Sequence, residues 1–478
     1  MEGDFGRRKR ASVRLLKTSC VVPAPRDEVF HWHARPGALE RLTPPWERVE
    51  VRKRSGGIEP GAEAFLRVWL GPVPLGWHAR HTVCDPPRLF VDEQVSGPFA
   101  SWRHEHHFEA LNPGETLLTD EVRYRLRGPR WLRDRLDMHV RRRLEGTFRY
   151  RYRTLVEDIR LIRQYGVPPL RVVVTGSAGV IGSHLVPFLT AAGHEVVRLV
   201  RRRPKPGQGE VFWDPYAGVL DVDALGSVDA VIHLAGDPIG SGRWSEGKKR
   251  RILESRTRPT RFLAETMARM KEPPRVLVSA SAVGIYGGRG DRLLMEEDPP
   301  GTGFLSQVCR RWEEAAQAFE GAGRLVRVRI GIALTPRGGA LAELLPAARC
   351  RVVPVFGSGR QFWSWVHVDD VVGAIYHALC TESVQGPVNV TAPQPVRQEE
   401  CVRTLGQVLG GCVVVRIPER IVGTAMGEKG REILFSSARV FPRRLLATGY
   451  RFRYPDLGQA LAALLGRTAG KNPVTEQE

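Results

Sequence analysis

Three glycines spaced three apart, in Gly176-Ser177-Ala178-Gly179-Val180-Ile181-Gly182, follow the run Arg171-Val172-Val173-Val174-Thr175. A helical stretch, Ser183–Ala192, and a second strand, Glu195–Val200, come next. Strand, glycine turn, helix and strand in this order form the arrangement that cradles a dinucleotide. Glycine is needed where the backbone bends sharply and a pyrophosphate must come close. The helix N-terminus then offers free amides and the positive end of its dipole. A glycine-rich turn that merely joins packed elements is the alternative. Where an acid would bind ribose hydroxyls, the chain carries Arg201-Arg202-Arg203. A carboxylate repels a 2′-phosphate and guanidinium groups bind it bidentately, so Arg201 and Arg202 favour NADP(H). An Arg-rich solvent loop is the competing reading. Ala230-Val231-Ile232-His233-Leu234-Ala235-Gly236 reads as the next core strand, ending in small residues where a nicotinamide cofactor passes.

These residues need a scaffold, and the chain divides near residue 166. Beyond it strands and helices alternate, which predicts an α/β doubly wound parallel sheet of Rossmann type. Before it, residues 130–163 carry eleven Arg against five acids. Leu132, Leu136, Val140, Leu144, Phe148, Tyr152, Leu155, Ile159 and Ile162 recur there at helical spacing, predicting one long amphipathic helix with a basic face. Gly166-Val167-Pro168-Pro169 stops it. Upstream, a strand (Ser12–Val22) leads through Pro23-Ala24-Pro25 into a short helix, Asp27–His33. Strand-like stretches follow at Ala64–Val68, Arg80–Cys84, Leu89–Val95, Ser101–Phe108 and Glu115–Leu126. A long helix against a curved antiparallel sheet makes an α+β domain, often with a cavity between them. The expected segments are 12–165, 170–395 and 396–466.

The first segment resembles the START/Bet v 1-like (SRPBCC, helix-grip) superfamily, in its polyketide-cyclase branch. The resemblance rests on Val22-Pro23-Ala24-Pro25 followed by Val29-Phe30, on Pro36-Gly37-Ala38-Leu39-Glu40-Arg41-Leu42-Thr43-Pro44-Pro45-Trp46, and on the terminal helix. It implies a pocket for a small apolar ligand. In the strand Trp102–Phe108, alternation puts His104 and His106 on one face with Trp102, and His107 on the other. Two histidines on one face can bind a metal. Polar cavity lining or cross-strand pairing is the preferred reading, and no metal is expected.

The second part resembles the extended short-chain dehydrogenase/reductases, and within them the atypical YfcH-like epimerase branch. The matching stretches are the glycine loop, Phe212-Trp213-Asp214-Pro215, Arg243-Trp244, Glu254-Ser255-Arg256, Ser279–Gly287, Gly357–Asp370 and Pro442–Pro455. The resemblance implies cofactor contacts at Gly176, Ser177, Ala178, Gly179, Val180, Ile181, Arg201, Arg202, Leu234, Ala235 and Arg256. An Arg on a helix has the reach and the fork for a phosphate; a surface role is the alternative for Arg256.

Hydride-transfer enzymes of that superfamily use a Tyr as acid/base, a Lys four residues later that lowers its pKa, and a Ser that orients substrate. Here Leu305 and Cys309 occupy the Tyr and Lys positions, with Glu313 following where the extended group carries a Glu. Ser281 and Tyr286 are the replacement candidates, against a strand-end cap and a packed core residue. His367 reads as the turn into a helix capped by Asp369 or Asp370, with a catalytic imidazole as the other possibility. Cys309 reads as an ordinary buried thiol.

The formal charge is +20 (72 basic, 52 acidic) over 478 residues. Only nine basic residues are Lys and the Arg are spread along the chain, so the charge implies weak polyanion attraction rather than specific nucleic-acid binding. Seven scattered cysteines without a Cys-x-x-Cys pair exclude a zinc module and a disulfide scaffold. No apolar run spans a membrane and no signal-peptide core follows Arg7–Arg10, so a cytoplasmic location is expected. The leading reading is an NADP(H)-dependent oxidoreductase or epimerase acting on a small-molecule substrate, fused to an apolar-ligand domain. A catalytically silent NADP(H)-binding sensor is the alternative.

Overall fold

Alternation of apolar and polar residues builds the first of two units, and continuous apolar runs build the second. The computed structural model describes residues 13–467. The Arg7–Arg10 run and Ser12, where the first strand is expected to begin, lie outside them. Packing divides the chain into a unit ending at Arg160 and a unit starting at Leu161.

The first unit is an antiparallel sheet with one long helix. β1 (Arg14–Val22) is followed by α1 (Arg26–Ala34), then β2 (Val49–Ser55), β3 (Glu63–Leu70), β4 (Val73–Asp85), β5 (Leu89–Ser96), β6 (Ser101–Asn112), β7 (Glu115–Arg125) and α2 (Arg130–Tyr165). The sheet order is β1-β7-β6-β5-β4-β3-β2. β6 as far as Phe108, and most of β7, alternate buried with half-buried residues, so one face packs inward. β2 lacks that alternation and the sequence reading passes it over. It is an edge strand without a buried residue, so no apolar period marks it.

The Pro36–Trp46 motif anchors α2. Arg41 forks onto Asp158, its Nε and Nη2 each donating to a carboxylate oxygen at 2.8 Å, with both side chains buried. Trp46 meets Tyr150 edge-on at 5.3 Å. The expected apolar stripe is buried over Phe148, Tyr152, Leu155 and Ile159, but Leu136 near the start of α2 is exposed.

The second unit has an eight-stranded, largely parallel sheet. Its elements are β8 (Arg171–Thr175), α3 (Gly182–Ala191), β9 (Glu195–Val200), β10 (Glu210–Asp214), β11 (Val219–Leu220), β12 (Ala230–His233), α4 (Glu246–Ala268), β13 (Val276–Ala282), α5 (Phe304–Ala316), β14 (Arg324–Ile330), α6 (Val368–Cys380) and β15 (Gly386–Val390). The order is β11-β10-β9-β8-β12-β13-β14-β15, with only the β10–β11 pair antiparallel. It is the doubly wound sheet the sequence predicts. Val172, Val174, Ile232 and Val278 pack on one side with α3 and α6, while Val173, Val231 and Leu277 pack on the other with α4. Both faces are covered, which is why these strands read as unbroken apolar runs. A further cluster of Leu341, Leu345, Trp365, Val402 and Leu461 gathers the C-terminal elements.

Removing one partner of a buried ion pair strands the other charge. Asp158→Ala therefore destabilises the first unit by about 3–5 kcal/mol, read as a lower denaturant midpoint for that unit with the second unit's transition unchanged.

Candidate functional site

The sheet order reverses direction between β8 and β12, and ligands of such sheets bind at the strand ends at that point. Two side-chain-free positions let the backbone close there. Gly176 has φ +68°, and a Cβ on it would sit 2.7 Å from the Leu234 carbonyl carbon and 2.9 Å from the Ala235 nitrogen. A Cβ on Gly182 would run into the Gly176 carbonyl oxygen. The loop itself turns on the Gly179 N–H donating to Gly176 O at 2.9 Å. Ala178, Gly179 and Val180 face outward at the head of α3. This is a cradle of backbone, open on one side, and it fits a pyrophosphate.

A buried relay holds the cradle to β12. Thr175 Oγ1 accepts the Leu234 and Ala235 N–H groups at 3.2 and 3.3 Å. It lies 2.7 Å from His233 Nδ1, and His233 Nε2 lies 2.8 Å from Thr260 Oγ1 on α4. Burial pushes the His233 imidazole down to about 4, so it is neutral at pH 7. One tautomer satisfies every group. Thr175 O–H donates to Nδ1, Nε2–H donates to Thr260, and Thr260 donates to the Arg256 carbonyl. Sequence reading missed this relay, although a histidine inside an apolar strand run was its signal.

Arg256 lies beside Gly236 at the end of this strand. Its Nη1 donates to Asp237 O at 3.0 Å and Ile252 O at 3.1 Å, and its guanidinium lies 5.0 Å from the Trp312 ring centroid. It is half-buried rather than a surface helix residue. The two arginines after β9 differ. Arg202 forks onto Glu210 at 2.8 and 2.6 Å, whereas Arg201 is exposed and has no polar partner among the described residues.

At the ends of β13 and β14 a second buried network forms. Arg329 donates to both oxygens of Glu313, from Nε at 2.8 Å and from Nη2 at 2.9 Å. Ser281 Oγ donates to Glu313 Oε1 at 2.7 Å. Tyr286 Oη accepts from Arg329 Nη1 at 2.9 Å and donates to Asn389 Oδ1 at 2.7 Å. Both hydroxyls, expected as catalytic candidates, point into this network, and Tyr286 is fully buried. Burial, opposed by Arg329, pushes the Tyr286 phenol up to about 12. Arg329 escaped the sequence reading, being one of three arginines in β14. Cys309 is a buried thiol pushed up to about 12 by burial. Its Sγ and the Leu305 Cβ line the space beside Gly284.

His367 itself caps α6, its Nδ1 accepting the Asp369 N–H at 3.0 Å, and it stacks on Tyr454 at 3.9 Å. This corrects the expected cap at Asp369 or Asp370. Asp370 instead accepts N–H groups from Arg453 and Tyr454 and the Tyr450 hydroxyl, which ties the Pro442–Pro455 motif to α6.

Residues 172–391 match the NAD dependent epimerase/dehydratase family. An epimerase family protein of Mycobacterium bovis is 38% identical over 291 residues, 61% of this chain and 96% of that protein. The chain belongs to the epimerase family. Human SDR39U1 is 34% identical over 299 residues, 62% of this chain and all of that protein. Its crystal structure with NADPH superposes with a TM-score of 0.58, covering 62% of this chain and 99% of that one at 34% identity. The structure of a nucleoside-diphosphate sugar epimerase from Corynebacterium glutamicum covers 94% of this chain and 90% of its own, with a TM-score of 0.76 and 34% identity. Residues 22–149 match the polyketide cyclase/dehydrase and lipid transport family, and 417–464 a domain of unknown function, DUF1731. Membership makes this an NAD(P)-dependent oxidoreductase/epimerase-type protein, and the match over residues 22–149 gives it a START-like N-terminal domain. Among the described residues no helix is long and apolar enough to cross a membrane.

Thr175→Val leaves two amides and His233 without their partner. It costs about 1–3 kcal/mol in denaturant melts and weakens nucleotide binding. The unfolded chain protonates His233 near 6.5 and the folded chain near 4, as it does His377, which burial also pushes down to about 4. Acidification thus charges the unfolded state first. The stability these neutral imidazoles contribute is full above pH 6.5 and falls away toward pH 4, and a pH series of melts reads it.

Proposed function

We propose that this protein is an NADP(H)-dependent oxidoreductase or epimerase acting on a small-molecule substrate, with an N-terminal domain that takes an apolar ligand. The observation that carries the reading is the glycine cradle together with an uncommitted Arg201. Gly176, Ser177, Ala178, Gly179, Val180 and Ile181 hold the pyrophosphate. Leu234 and Ala235 border the cofactor at the end of β12, and Arg256 supports that border. Arg201 pairs with the 2′-phosphate without losing a partner, whereas Arg202 must first leave Glu210. The NADPH in the human relative's structure supports the same cofactor.

Bound there, the nicotinamide supplies or accepts a hydride at a substrate carbon. The chain's own contribution is to orient and to exclude water. Ser281 and Tyr286 serve as positioning residues, since Glu313, Arg329 and Asn389 hold their hydroxyls and thereby fix the 282–287 turn. Leu305 and Cys309 present an apolar wall where related enzymes carry the phenol and ammonium. The apolar ligand of the N-terminal domain is delivered to, or sensed for, the same reaction.

A second reading, a silent NADP(H)-binding sensor, draws on one observation. Neither Leu305 nor Cys309 can move a proton to substrate, and Tyr286 is committed elsewhere.

Titration with NADPH and NADH tests the cofactor assignment. NADPH binds the more tightly, and Arg201→Ala weakens it by about tenfold or more, as loss of a charge-assisted contact does. NADH affinity stays unchanged, and Arg202→Ala has the smaller effect. Equal binding of both nucleotides by the wild type overturns the NADP(H) assignment. Transfer of deuterium from labelled NADPH to a product separates the enzyme from the sensor.

A further inference from the structure

Strand pairing in the N-terminal unit gathers three metal-ligating side chains from two strands. His104 and His106 stand two apart on β6, so both rings leave the same face of the sheet. β5 places Asp92 directly opposite His104, and β7 places Asp120 directly opposite His106. Asp92 Oδ2 lies 3.2 Å from His104 Nδ1 and 3.6 Å from His106 Nε2. Ligand atoms around a tetrahedral zinc ion, with bonds of about 2.0–2.1 Å, stand roughly 3.3–3.4 Å apart. The 3.6 Å separation is too long for a hydrogen bond yet suits two ligands of one ion.

Asp120 sits on the far side of the rings. Its Oδ1 is 2.8 Å from His104 Nε2, in hydrogen-bonding geometry. The same oxygen is 2.7 Å from His106 Nδ1, which approaches out of line and makes no hydrogen bond. A carboxylate behind an imidazole fixes its tautomer and turns its other nitrogen toward a metal. Asp92 and Asp120 place two carboxylates on the inner face of the sheet, where charge is costly unless balanced. One divalent cation balances both. β4 adds His81 opposite Asp92, on the same face, with its Nδ1 buried and without a hydrogen-bond partner among the described residues.

We propose that Asp92, His104 and His106 form a three-ligand site for a zinc-class divalent metal in the N-terminal domain, with Asp120 holding His104 from behind. Three protein ligands leave a fourth position open. It takes an oxygen donor, either water or a carboxylate or carbonyl oxygen of the molecule this domain accommodates. The site is independent of the nucleotide cradle. The competing state has protons in place of the metal. Burial opposes a charge on His104, and the hydrogen bonds to Asp120 and Asp92 outweigh it, pushing the imidazole up to about 9.

The test is a Co²⁺ titration of the chelator-treated full-length protein, followed by visible absorption and by metal content after desalting. The expected result is one equivalent of Co²⁺ per chain with the ligand-field bands of a four- or five-coordinate site, displaced by Zn²⁺. Asp92→Asn, which nearly keeps the side chain's shape, and His106→Gln each lose the bands, while their circular dichroism stays that of the wild type. No Co²⁺ or Zn²⁺ binding by the wild type overturns the proposal and leaves the cluster to its protons. Stoichiometric binding that survives both substitutions also overturns it, because the metal then sits elsewhere.

Discussion

The nucleotide end of the second unit depends on one close approach, that of Gly176 to the backbone where β12 ends. The approach requires positive φ and the absence of a Cβ at the same position, and only glycine meets both demands. Once it is made, Thr175 can reach two amides of the neighbouring strand end, and His233 can carry the connection on to α4. The reversal point of a doubly wound sheet is where two strand ends diverge and leave a crevice. Here a neutral hydrogen-bonded relay pins those ends, so the cradle keeps its shape without a charged group beneath it.

Charge enters deeper, at Glu313 and Arg329. A buried ion pair repays its desolvation only when geometry and remaining hydrogen bonds are complete. This one is forked, and Ser281, Tyr286 and the Glu296 carbonyl take up the remaining capacity. The completeness has a chemical consequence. A hydroxyl that already donates inside a network is a weak donor to anything outside it. Ser281 and Tyr286, the replacement candidates for proton transfer, hold their hydroxyls inside this network, and Leu305 and Cys309 stand where the wider superfamily carries its phenol and ammonium.

The N-terminal unit follows a different logic. Its long helix is held by Arg41 and Asp158 and by aromatic contacts such as Trp46 on Tyr150. The inner face of its sheet then mixes Phe90 and Phe108 with two histidines and two aspartates; Phe148 of α2 meets His104 edge-on, and the Phe90 ring stacks on His106 at 4.0 Å. Polar groups in so apolar a setting are worth keeping only when they are mutually satisfied or balanced by a bound ion.

Local pattern alone determined the order of the main strands and helices, the glycine loop and the arginines beyond β9. Each of these is written in spacing or in a backbone demand that holds whatever the rest of the chain does. Edge strand β2 was not legible, because a strand exposed on both faces carries no apolar period. His233 stood in view as a polar residue inside an apolar strand and Arg329 as one of three arginines in β14, but their partners Thr260 and Glu313 sit on α4 and α5, and only the packing of those helices on the sheet brings them into contact. The same holds for Asp92, which only the register of β5 on β6 brings opposite His104. Which of two adjacent arginines stays free was decided by Glu210 across the sheet edge, and which way the Ser281 and Tyr286 hydroxyls point was decided by Glu313 and Asn389. Spacing along the chain sets what a segment can form, whereas a charge or a hydroxyl takes its role from whatever the fold places within three ångströms of it.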